Sequence, residues 1–121
     1  IAYVVQQEAF VTKRIPEDAW AMELHRFTNR NAGRATTLEV DSPDFGAQAE
    51  ELGFPLRGIT YDARDDRVLI TLGDQASAER HLTHSIPQAI AIFVLVDLKG
   101  RDEALAIRQK NTNTLLRFMD L

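Results

Sequence analysis

Phe54-Pro55-Leu56-Arg57-Gly58-Ile59-Thr60-Tyr61-Asp62-Ala63-Arg64-Asp65-Asp66-Arg67-Val68-Leu69-Ile70-Thr71-Leu72-Gly73-Asp74 is the stretch that decides the fold class. Two apolar runs rich in β-branched residues enclose one polar turn, a pattern that predicts a β-hairpin. Downstream, Ile90-Ala91-Ile92-Phe93-Val94-Leu95-Val96 is an almost unbroken apolar run of strand length, which places it at the centre of a sheet with both faces buried. Asp97 to Asp102 makes a turn, and Ala104, Leu105, Ala106 and Ile107 return as the partner strand of a second hairpin. Leu115-Leu116-Arg117-Phe118 reads as a final short strand.

Upstream, the pattern changes to helical. Pro16 suits a first helical turn, and Glu17 and Asp18 put negative charge where the helix dipole favours it. Trp20, Leu24 and Phe27 recur at helical spacing, Ala19 and Met22 broaden that face, and Gly33 ends the element. Thr36 to Val40 then reads as a strand. After it, Ser42 caps a second, shorter helix whose apolar face is Phe45, Ala49 and Leu52, with Gly53 and Pro55 as its stop. The adjacent Glu50 and Glu51 belong to the solvated side of that helix, because neighbouring helical residues do not project to one point. Residues 1–14 read as an edge strand or a lead-in, and residues 15–121 as one α+β domain. The architecture these elements predict is a curved antiparallel sheet, or a small partly closed β-barrel, covered by the N-terminal helix.

Composition narrows the function classes. At 121 residues the chain has the length of a single domain, enough to bury about two thirds of its unfolded surface without staples. It has no cysteine, which removes disulfides and thiolate chemistry and suits a reducing compartment, so the cytoplasm is the expected location. Fourteen Lys and Arg against 18 Asp and Glu give a net charge of -4, which disfavours a broad basic nucleic-acid face. No run reaches the roughly 20 apolar residues of a membrane-spanning helix, so no membrane partner is expected.

The strongest local chemistry lies in His81-Leu82-Thr83-His84-Ser85-Ile86-Pro87. Imidazoles can ligate a metal or shuttle protons, and Asp74 or Glu79 could complete a histidine-carboxylate site. On a strand, however, His81 and His84 face opposite sides, and the His-Glu-x-x-His arrangement of zinc proteases is absent. Leu82 and Ile86 are expected to pack in the core, with at least one of the two histidines making an ordinary local hydrogen bond. Ser85 has no Gly-x-Ser-x-Gly elbow, and the glycines form no phosphate-cradling loop, so no cofactor is implied. A second constellation, Arg57, Arg64 and Arg67 near Tyr61, could meet phosphates and stack on an unpaired base. Asp62, Asp65 and Asp66 interrupt it and are natural partners for those arginines.

Several segments together carry a resemblance: Ile15 to Trp20, Thr37 to Val40, Pro55 to Ile59 with Tyr61-Asp62, Leu72-Gly73, His81 to Pro87 and Thr114 to Phe118. Over residues 15–118 the chain resembles an uncharacterised family of small bacterial proteins designated only as a domain of unknown function. The resemblance implies one domain and brings no catalytic assignment. With no convergent catalytic set, the residues read as a noncatalytic interaction or accessory domain whose partner is another protein or a second copy of the chain. Two alternatives remain open at this point: a small metal-assisted hydrolase built on His81 and His84, and a single-stranded nucleic-acid-binding domain built on Arg57, Tyr61, Arg64 and Arg67.

Overall fold

A computed structural model describes residues 10–44, 46–73 and 81–119, with the backbone alone described for 47–52. The elements are β1 (Val11–Ile15), a single 3-10 turn (Glu17–Ala19), α1 (Trp20–Asn31), β2 (Ala35–Ser42), β3 (Gly46–Asp62), β4 (Arg67–Gly73), β5 (His81–Pro87), β6 (Ala91–Val96), β7 (Asp102–Arg108) and β8 (Asn113–Phe118). They form one antiparallel sheet in the order β1-β6-β7-β8-β2-β3-β4-β5.

Curvature follows from this order. β5 stands eighth and β6 second, a separation of about 29 Å in a flat sheet with strands about 4.8 Å apart. Only residues 88–90 join them, and that link spans at most about 15 Å. The sheet must therefore curl until its two halves meet. They meet at this link: Gln88 N donates to Asp66 O at 2.8 Å, Ile90 N to Arg108 O at 2.7 Å and Gln109 Nε2 to Pro87 O at 2.8 Å. β1 and β5 do not pair, so the curved sheet stays open and is not a barrel.

The helix fills the hollow of the curve. Trp20, Leu24 and Phe27 are buried at the predicted spacing, together with Asn31 one turn on. Trp20 meets Tyr61 edge to face at 5.2 Å, and Phe27 stacks on Phe118 at 5.8 Å, so opposite ends of the helix face touch β3 and β8. Trp20 Nε1 donates to Ile15 O at 3.1 Å, tying the helix start to β1. Thr28 Oγ1 accepts from Ile59 N at 2.9 Å and also lies 2.9 Å from Leu24 O, its own helix acceptor. Gly33, at φ +87, turns the chain out of the helix as only glycine does readily, and its N–H donates to Leu56 O at 2.8 Å.

Three sequence expectations are corrected. Met22 does not join the buried face; it is exposed, because it lies off the Trp20–Leu24–Phe27 stripe. β6 is not central but second from an edge, with Ile92, Val94 and Val96 buried and Phe93 and Leu95 only half-buried. No second helix follows Ser42: Ser42 pairs with Gly46 across a tight turn, and residues 46–62 run on as one long strand. The β2–β3 ladder slips between Thr36 and Thr37 and again between Leu38 and Glu39. Such bulges break the two-residue alternation of a strand, so the period that would mark this stretch as β is absent from it. Phe45 and the side chains of Glu50 and Glu51 lie outside the described residues.

Candidate functional site

β5 carries the histidines as alternation dictates. Its outward residues are His81, Thr83 and Ser85, while Leu82, His84 and Ile86 face the hollow, with Ile86 buried and Leu82 packed against the core as expected. His81 and His84 therefore lie on opposite faces of one strand. Asp74 and Glu79 lie outside the described residues, and among the described residues no three His, Asp or Glu side chains gather at one point. What His81 meets is Arg57, whose Nη1 lies 3.0 Å from His81 Nδ1.

The arginine-tyrosine constellation is likewise dispersed. Arg57 stands beside the Leu56–Leu72 end of the β3–β4 ladder and Arg67 at the Asp62 end. Arg67 donates to Ser85 Oγ, and Arg64 sits in the turn, its backbone N–H on Asp62 Oδ1 at 3.0 Å. Tyr61 turns inward to Trp20, and its hydroxyl donates to Asp66 Oδ1 at 2.8 Å. That hydrogen bond, with desolvation and nearby carboxylates adding to it, pushes the phenol above its ordinary pKa.

Where the helix ends, charge is locked into structure. The buried Asp102 accepts from Arg30 Nε at 2.9 Å and from Asn31 Nδ2 at 2.8 Å, while Arg34 Nη1 donates to Asn31 Oδ1 at 2.9 Å and to Asp102 O at 2.8 Å. Arg34 also stacks over Phe118, 4.0 Å from the ring centroid. A groove of about 500 Å³ runs past Lys13, Arg30 and Asp102. Asp102 already occupies the Arg30 guanidinium there.

The outward face of the sheet from β1 to β2 is different, because no element among the described residues covers it. Register brings Arg14, Phe93, Ala106, Leu115 and Glu39 into one row across β1, β6, β7, β8 and β2. The next row is Thr12, Leu95, Ala104, Arg117 and Thr37. Phe93, Leu95, Ala106 and Leu115 are half-buried and form an apolar centre. Arg14, whose guanidinium sits 5.7 Å from the Phe93 centroid, bounds it on one side, and Glu39 with Asp41 on the other. A groove of about 500 Å³ follows this face past Phe93, Leu115 and Glu39. Among the described residues Glu39 and Asp41 have no ion-pair partner.

Sequence reasoning did not identify this surface. Its local signal is the apolar character of Phe93 and Leu95, which by itself fits a strand buried on both faces. The rest depends on non-local register.

Among the described residues no helix is long and apolar enough to cross a membrane. Neither a curated protein nor a solved structure matches the chain. A family model does match, over residues 11–120, and the chain belongs to that family, DUF5335, a family of unknown function.

Proposed function

We propose that this domain is a noncatalytic interaction module whose working surface is the sheet face spanning β1, β6, β7, β8 and β2, which no element among the described residues covers. The observation that supports this reading is the composition of that face: an apolar centre of Phe93, Leu95, Ala106 and Leu115 lies between a basic border at Arg14 and an acidic one at Glu39 and Asp41. An apolar patch rimmed by charge is the usual make-up of a protein contact. The partner it suits is a protein surface with an apolar middle and charges of both signs at its borders. A cytoplasmic setting fits the cysteine-free chain.

Covalent footprinting of the full chain inside cells, compared with dilute purified protein, tests the reading. Protection of Phe93, Leu95 and Leu115 in the cell is the expected result. Equal labelling in both settings would show that the face meets no partner and would overturn the proposal.

A further inference from the structure

We infer that the partner of the uncovered face is a second copy of this chain, packed face to face about a two-fold axis parallel to the strands. The inference rests on the interaction reading above and adds the identity of the partner.

The argument is one of charge order along a row. Within the five strands from β1 to β2, Arg14 stands on the first and Glu39 on the fifth, with Phe93, Ala106 and Leu115 between them and Ala106 in the middle. A two-fold contact places one patch against itself, so each residue meets the image of another in the same patch. An axis along the strands reverses the order of the row. Arg14 then faces Glu39 of the partner subunit, Phe93 faces Leu115 of the partner subunit, and the small Ala106 lies on the axis, where both copies need room. An axis running across the strands along this row would preserve the order and set Arg14 against Arg14 and Glu39 against Glu39, two like-charge contacts; the axis along the strands makes one, Arg108 against its own image, and sets Leu95 against the stem of Arg117 of the partner subunit.

Packing requirements agree. Sheets stack about 10 Å apart with their strands roughly aligned, about 30° off parallel, when apolar side chains interdigitate. An axis along the strands keeps them aligned and allows that arrangement. Five strands make a face about 20 Å across, a contact at the small end for specific interfaces. Because charged pairs bound it, added salt should weaken it.

Sedimentation velocity of the full chain across the micromolar range provides the test, using Arg14→Glu and Glu39→Arg separately and mixed. Wild type should form dimers, and each single reversal should weaken them by about tenfold or more, since it creates two like-charge pairs per dimer. Mixing the two singly reversed chains should restore association as a heterodimer, because positions 14 and 39 then carry opposite charges across both borders of the contact. That rescue cannot come from a fold defect in either variant, and circular dichroism of each variant checks its fold independently. A wild type that stays monomeric throughout would overturn the inference. So would a dimer that ignores both reversals, or one that mixing fails to restore. If footprinting protects the face in cells while purified chains remain monomeric, the interaction reading stands with a different partner and only the second-copy assignment falls.

Discussion

Arg30 donates to Asp102 from Nε at 2.9 Å and from Nη2 at 3.3 Å, joining the last turn of the helix to the first residue of β7. Arg30 is half exposed while Asp102 is buried, so the pair is asymmetric: the arginine can recover solvation if released, whereas the groups around the carboxylate cannot. Asp102→Ala leaves Asn31 Nδ2 with only Phe27 O as acceptor and removes the charge that holds Arg30. We expect a loss of about 2–3 kcal/mol in chemical denaturation. Arg30→Met should cost less than half as much, and equal costs for the two variants would count against the asymmetry.

Thr28 of the helix lies against Gly58 and Ile59 of β3. A Cβ at Gly58 would stand 4.0 Å from Thr28 Cγ2, an ordinary contact, and Gly58 is not in the left-handed region. Gly58→Ala should therefore be tolerated to within about 1 kcal/mol. Thr28→Val conserves shape but deprives Ile59 N of its acceptor at 2.9 Å. Leaving that donor unpaired should cost about 1–3 kcal/mol, so thermal denaturation is expected to rank the smaller chemical change as the more damaging one.

Acid should open the β6–β7 turn first. Asp97 Oδ1 accepts from Arg101 N at 2.9 Å and Lys99 N at 2.8 Å, and these hydrogen bonds, with the charges of both residues, hold its carboxyl below the usual aspartate value against a smaller opposing effect of desolvation. A carboxyl depressed in the folded state contributes stability above its unfolded pKa, and that contribution fades as pH falls through the folded value. Amide exchange at Lys99 and Arg101 should therefore accelerate below about pH 4 in wild type. In Asp97→Ala it should be fast throughout, and an unchanged exchange profile in that variant would refute the assignment.

Arg108 gives an independent check on the dimer axis. It lies on β7, the middle strand of the uncovered face, and is exposed. An axis through β7 brings Arg108 of both copies together at the rim, a like-charge contact. Arg108→Gln should tighten self-association by about two- to tenfold, and a weaker dimer in sedimentation would place the axis elsewhere.

What the sequence made legible was whatever depends on near neighbours. The 54–73 hairpin, the Trp20–Leu24–Phe27 stripe and the paired strands around Asp97 each carry their periodicity and turn residues in one continuous stretch. The first part of β3 reads as a helix because two bulges in its ladder with β2 break the period of two that marks a strand. The uncovered face was unreadable for another reason. It exists only once β1 has paired with β6 and β2 with β8, and nothing local in Arg14 or Glu39 announces that one row will contain both. Candidates chosen from local proximity suffered the converse fate: His81 and His84 are close in sequence and separated by the pleat.

The place of β8 in the sheet has a consequence for biosynthesis. It is the last of the described strands in chain order and the fourth in spatial order, flanked by β7 and β2. Until it emerges from the ribosome, β1-β6-β7 and β2-β3-β4-β5 share no strand ladder and have only the 88–90 link and the helix in common, each with a raw edge where β8 will dock. Val11 pairs with Val96, so at about 5–20 residues per second β1 spends roughly 4–17 s without its partner. The nascent domain thus meets the cell with its hydrophobic interior ajar, and β8 acts as the wedge that closes the gap between the two ladders.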